Sequence, residues 1–409
     1  MHAHAVVVTA VLASFGSLLA AQSGWSPPAL LTSLNTVAAD TGAHLSADGL
    51  TLHWVSYTSG NWEIYSATRP TRTAAWSAPT LETALNDPAV ENEPHLAPDG
   101  LSLYLGSQRA GGAGSFDIMV STRANTGSPW NPPTFVTEVN SSAADSAPSI
   151  TEDGLELYIL TTGWGAPYAP QNAIFVARRA STSLPFASPT LVAELSTPNT
   201  HRDVEVAPDG LSITYTEYDP AARRTHVFLA SRTHRTLPFG TPVILTQFDT
   251  IGTLGVYSFS RSRDGLDAVL AGPLSAGSQE MMESSFDGLT TDGAPSLSAP
   301  VTFHYRDSTS PGRGYALALS GGNTGFPLGA RTVPIDPDGL FLSTFSVGLP
   351  PFTTGFFGLL DLQGEGMGTL INPLPVFVGL PLYAAGFTFD FASPYSIRTI
   401  SNAVAIQLQ

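Results

Sequence analysis

From Trp25 onward the chain consists of short apolar runs separated by clusters of Gly, Pro, Asp and Ser. In LELYIL (residues 155–160) and LSLYLG (residues 101–106) leucines alternate with other residues, Glu156 or Ser102 among them. A period of two places the leucines on one face of an extended strand and the polar residue on the other. The runs share one punctuation mark, Asp-Gly-Leu. Five copies in one phase begin at Asp48, Asp99, Asp153, Asp209 and Asp264, with spacings of 51, 54, 56 and 55 residues. A tight hairpin favours Asp-Gly, because Gly accepts positive φ and Asp can hydrogen-bond its own turn backbone.

Two further markers keep the same phase. An aromatic residue precedes a proline by three positions at Trp25/Pro28, Trp76/Pro79, Trp130/Pro133, Phe186/Pro189 and Phe239/Pro242. A strand ending in arginine follows most turns, reaching Arg69, Arg123, Arg179 and Arg232. The third repeat then divides into four strands, FVTEV, APSIT, LELYIL and AIFVAR, with Asp153-Gly154 joining the second to the third. Four strands per unit of about fifty residues predict the blades of a β-propeller, which stack in a ring because no blade buries its faces alone. Five repeats predict five blades over residues 25–300. The degraded fifth repeat (SRSRDGLDAVLAG) leaves a sixth blade in residues 283–305 as the alternative. The strand after Trp25 has no partner of its own, so it is expected to complete the last blade, whose other strands end near Met282. Trp25, Trp76 and Trp130 recur at one repeat position, which predicts packing between blades. Trp62, Trp164 and Tyr168 are expected on outer hairpins, where aromatics suit sugar or protein.

The repeat markers stop near Phe303. Residues 306–409 are strand-like and punctuated by Gly and Pro, which predicts a small β-sandwich as a second module. Asp336-Pro337-Asp338-Gly339 predicts a hairpin turn and lacks the further carboxylates of a calcium loop. At the other end, the apolar run Val6–Ala21 has the length of a signal-peptide core, with Ala20 and Ala21 offering a cleavage site. A signal peptide over residues 1–21 makes the chain exported: periplasmic, cell-surface or secreted. No later run is long enough for a membrane anchor, and a monomer is expected.

Composition sharpens this. With 43% apolar and 12% charged residues, 38 Gly and 33 Pro, the chain is turn-rich yet able to bury a core, as an all-β protein requires. The absence of cysteine excludes disulfides, thiolate metal sites and a cysteine nucleophile. A net charge of −16 with only 17 Lys and Arg argues against nucleic acid. There is no Gly-x-Ser-x-Gly, His-Glu-x-x-His, phosphate-binding or dinucleotide fingerprint.

The second repeat, HLAPDGLSLYLGSQRAGGAGSFDIMVSTR (residues 95–123), carries a Pro-Asp-Gly turn, the Ser107-x-Arg109 pair, the Gly111-Gly112-x-Gly114 hairpin and the Asp117-Ile118 strand start. In these features residues 25–285 resemble the WD40-like (TolB-type) propeller repeats of bacterial envelope proteins. The C-terminal segments FGLLDLQGEG and SNAVAIQLQ are weakly similar to accessory modules of secreted bacterial proteins. The resemblance implies a fold rather than an activity, since such propellers serve as translocation components, peptidase gates and scaffolds. The repeats depart from the pattern at Ala47, Glu152 and Arg263, where proline is usual. A sialidase-type Asp box is disfavoured, because Gly directly follows Asp in every repeat.

Candidate chemistry comes from counting back from each turn Asp. Eight residues earlier stand Asp40, Glu91, Asp145, His201 and Val256. Six earlier stand Gly42, Glu93, Ala147, Asp203 and Ser258, and four earlier His44, His95, Ser149, Glu205 and Ser260. Innermost strands line the axis of a propeller, so these side chains are expected to converge at one channel mouth and bind a polar ligand. Protein or glycan is the expected partner. No cofactor is expected, with a divalent cation such as calcium as the alternative. Two carboxylates about 5 to 9 Å apart across that mouth would instead support glycoside hydrolysis. A third alternative is a structural envelope component.

Overall fold

The computed structural model describes residues 24–232, 234–275, 278–292, 300–328, 331–347, 352–371, 381–390 and 397–407. The expected signal peptide lies outside these residues. Among them, no helix is long and apolar enough to cross a membrane.

The protein is an all-β propeller with a C-terminal module. Between Ala29 and Ser285 the strands form five four-stranded antiparallel sheets. The first strands of these sheets are Asp40–Leu45, Glu91–Leu96, Asp145–Ile150, Thr200–Val206 and Ser258–Arg261. Each contacts the next, and Ser258–Arg261 contacts Asp40–Leu45, so the five make a closed ring around the axis. The sequence repeat is offset from the sheet by one strand, because the short run before each inner strand pairs as the outermost strand of the preceding sheet. Thr134–Phe135, for example, pairs with Met119 and Val120. The same offset closes the ring. Ala29–Leu30 pairs with Met282 and Glu283, adding the fourth strand to the last sheet as the repeat phase predicts.

The Asp-Gly turns lie at the far ends of the inner strands. Gly49, Gly100, Gly154, Gly210 and Gly265 all have φ between 68° and 75°, and each turn Asp accepts the N–H of the Leu two residues on. The arginine that ends the third strand locks this turn. Arg69, Arg123, Arg179 and Arg232 donate Nε–H to the carbonyls of Gly49, Gly100, Gly154 and Gly210. Their guanidinium carbons sit 4.2–4.4 Å from the rings of Trp76, Trp130, Phe186 and Phe239. All three sequence markers therefore meet in one place. A cation over an aromatic face is attracted by the ring quadrupole, while the ring itself packs between sheets. Trp76, for instance, shares a core with Leu34, Val269 and Met281.

One repeated device went unnoticed in the sequence. Asn35, Asn86 and Asn140 stand thirteen residues before the turn Asp. Each side-chain amide pairs in both directions with one residue of the preceding sheet: Asn35 with Met281, Asn86 with Ile64 and Asn140 with Ile118. The amide stands in for a strand residue and satisfies backbone groups that the short outer strand leaves unpaired.

The C-terminal module differs from expectation in two ways. Gly288–Asp292 pairs with Val301–Arg306, and Val301–Arg306 in turn with Glu365–Leu370 rather than with the ring, so the strands following Phe286 build the module. Moreover, LFLSTFSV is helical. Asp338 accepts the Phe341 N–H on its side chain and the Leu342 N–H on its carbonyl, and caps the helix Gly339–Val347. An acceptor at an N-cap satisfies a donor that the first turn cannot. Phe341, Thr344 and Phe345 recur at helical spacing and turn inward, while Leu342 is exposed. The helix covers the sheet containing Gly314–Ser320. That strand sends Leu317 and Leu319 toward the first sheet and Ala318 toward the helix. Burial on both faces explains its unbroken apolar run. Arg306 joins the module to the propeller, donating to the Leu266 carbonyl and to both oxygens of Asp267.

Asn35→Ala removes both bonds at the ring closure and leaves the Met281 N–H without its partner. A loss of about 2 kcal/mol is expected, read as a lower midpoint in chemical denaturation. An unchanged midpoint would show that the amide clasp contributes nothing.

Candidate functional site

Each inner strand is the edge of its own sheet, so its axis-facing N–H groups have no ladder partner. Side chains of the neighbouring inner strand supply the acceptors. Ser258 and Ser260 accept from Ala43 and Leu45 (3.3 and 2.9 Å), and Glu93 and His95 from Ala147 and Ile150 (2.6 and 3.3 Å). Ser149 accepts from Val206 (2.9 Å), and Asp203 and Glu205 from Phe259 and Arg261 (2.9 and 3.3 Å). His44 completes the circuit through Nε2, 3.1 Å from the Leu96 carbonyl. The residues six and four before the turn thus form a continuous belt. In three strands the backbone enters the left-handed region to achieve this. Gly42, Glu93 and Ala147 have φ of 60°, 47° and 47°, where a side chain costs about 1–2 kcal/mol. Gly42 was the visible sign of that conformation in the sequence.

The residues eight before the turn do not join the belt. Asp40 accepts from the N–H and hydroxyl of Thr36, and Asp145 from the Ser141 N–H. Glu91 accepts from the Asp87 N–H and pairs with Arg109. His201 lies between the carbonyls of Asn172 and Leu195, 3.3 Å from Glu217. All four are buried and tie down the connections leading into their inner strands.

Lower in the channel, His44, His95 and Glu205 each offer one ligand atom within 4.8 Å of the others. Two imidazoles and a carboxylate suit a transition ion, whereas calcium takes about six to eight oxygens. The three are also a hydrogen-bonded network. His44 Nδ1 is 3.3 Å from Glu205, whose other oxygen accepts from the Ser260 hydroxyl, and His95 Nε2 is occupied by the Ile150 N–H.

Above the belt, where the inner strands begin, a cavity of about 570 Å³ opens. It is lined by Trp62, Phe116 and Tyr257, by the amides of Asn92, Gln108 and Asn172, and by Glu93 and Arg202. Trp62 therefore borders the mouth, while Trp164 and Tyr168 remain exposed. Arg202 was not singled out in the sequence, because a residue present in one repeat leaves no periodic trace.

No family model matches the chain, and no curated protein matches it. Solved structures do. The chain is similar to TolB from Acinetobacter baumannii at 17% identity and a TM-score of 0.39, over 62% of this chain and 55% of that one. It thus spans little more than half of that protein's length. It is also similar to the endo-arabinase of Bacteroides thetaiotaomicron (14%, TM-score 0.44, covering 64% and 97%) and to the calcium-binding protein regucalcin of Agrobacterium tumefaciens (11%, TM-score 0.38, covering 63% and 93%).

Burial shifts the belt acids. Burial, with Asp203 nearby, pushes Glu93 up to about 8, and burial pushes Asp203 up to about 7. Between its ordinary value of 4.5 and about 8, folded Glu93 holds a proton that the unfolded chain has released. Its contribution to stability is therefore complete below pH 4.5 and is lost as pH rises through 8. Glu93→Gln keeps an acceptor for the Ala147 N–H but cannot ionise. Thermal unfolding from pH 5 to 9 should decline less steeply in this variant than in the parent. Parallel declines would remove Glu93 from the account.

Proposed function

We propose that the chain is an exported, five-bladed propeller that binds carbohydrate at the mouth above the belt and does no chemistry on it. The observation that carries this reading is the lining of the cavity, where aromatic faces stand beside side-chain amides. Sugars present both apolar C–H faces and hydroxyls, and such a mixture meets both. The C-terminal sheets and helix are read as an accessory module of the same exported protein.

Hydrolysis is the second reading. Glu93 favours it, since a carboxyl near neutrality suits a general acid. Binding is preferred because Glu93 is the single carboxylate lining this cavity among the described residues. Glycoside hydrolysis needs two, and Asp40, Glu91 and Asp145 are committed to their own connections.

Calorimetric titration with a panel of oligosaccharides tests both readings. At least one should bind, with affinity reduced about tenfold or more by a combined Trp62→Ala and Tyr257→Ala change, and no reducing sugar should be released from the matching polysaccharides. Sugar release that Glu93→Gln abolishes would replace binding by hydrolysis.

A further inference from the structure

The mouth holds one group whose commitments are unlike those of its counterparts. Several arginines of the propeller answer nearby carboxylates, as Arg69 does Glu283, Arg109 Glu91 and Arg232 Glu156, and others donate to backbone carbonyls, as Arg123 and Arg179 do. Arg202 lines the cavity without an ion pair. Its guanidinium carbon lies 4.4 Å from the Tyr257 ring centroid and 5.5 Å from that of Tyr218. Two aromatic rings therefore flank the fork, but neither uses its N–H donors. Among the described residues no protein acceptor meets them, and Nε is buried without a partner. Asn172, which lines the same cavity, has a buried Oδ1 that is likewise unpartnered. An unmade buried hydrogen bond is costly, and more so for a charged group, so donor and acceptor together point to a ligand.

Resting on the carbohydrate reading above, we infer that the mouth takes an acidic saccharide, with a carboxylate or sulfate group seated on Arg202 and a neighbouring hydroxyl donating to Asn172. A planar fork with parallel donors matches a two-oxygen anion better than a neutral hydroxyl. One feature of the surroundings agrees. Asp203, next in sequence, spends its carboxylate on the Phe259 and Val204 N–H groups rather than on Arg202. In a chain of net charge −16, an arginine left uncommitted at a channel mouth also supplies local attraction for an anion.

The test is calorimetric titration of the full chain with three probes: oligogalacturonate, a neutral galactose oligomer of equal length, and a sulfated galactose oligomer. At least one acidic probe should bind about tenfold or more tightly than the neutral one, with a preference that falls as salt rises from low to high. The two acidic probes separate carboxylate from sulfate recognition. Arg202→Met should lower affinity for the preferred acidic probe about tenfold or more and so abolish the preference, and Arg202→Lys should restore only part of it. Melting curves of the variants, unchanged from the parent, establish that the fold is intact. If stacking on the two tyrosines is the whole role of Arg202, its melting temperature falls and the preference survives, which overturns the inference. Equal binding of acidic and neutral probes overturns the inference alone. Failure of every probe, together with the wider oligosaccharide panel, overturns the carbohydrate reading with it.

Discussion

The structure depends on one constraint: the innermost strand of every sheet is an edge. Its outer N–H groups cannot pair with another strand, because the neighbouring sheet is turned edge-on to the axis. An unsatisfied buried amide is expensive, so each inner strand must carry acceptors for the next. Ser, Asp, Glu and His at the positions six and four before the turn are those acceptors. Their chemistry varies from sheet to sheet because many side chains can receive an N–H, and their position does not vary because the geometry repeats. Ring closure is the same requirement at the outer rim, met by Ala29–Leu30 and the Asn35 amide.

This constraint changes the meaning of polar residues near the axis. A carboxylate in a propeller channel invites a functional reading, yet Asp203 and Glu205 are occupied by the backbone of the adjacent sheet. Asp40, Glu91 and Asp145 face the loops that deliver their strands and not the channel. The groups with spare capacity are found elsewhere. Arg202 and Asn172 line the cavity above the belt. The repeat supplies the ring, and residues that break the repeat line that cavity.

How much of this was legible in the sequence follows from what repeats. Asp-Gly-Leu, the aromatic before proline and the terminal arginine are periodic because each performs one local task at one place in every sheet. Alternation, turn chemistry and spacing therefore reached the all-β propeller and the strand that closes it. The same ruler brought His44, His95 and Glu205 into register, and the structure does bring them together. It also brought Asp40, Glu91 and Asp145 into register but could not say which way they point. In a regular strand residues two apart share a face, a bulge breaks that pattern, and the bulge between Asn92 and His95 separates Glu91, turned to the loop before its strand, from Glu93, on the axis. In the C-terminal module LFLSTFSV carries strand formers, and only the Asp338 cap with the apolar sheet beneath it made that segment a helix.

By itself, then, the sequence determined the features set by short-range backbone chemistry: strands, Asp-Gly turns, their period and the phase of closure. The tertiary structure decided which polar residues are spent on neighbouring backbone and which remain available. That distinction depends on contacts between residues some fifty positions apart or, across the closure, more than two hundred. Asp203 and Arg202 are adjacent in the chain, and both are ionisable. One is fixed by the N–H of Phe259, the other is held open between two tyrosine rings, and only the packing of adjacent sheets makes them different.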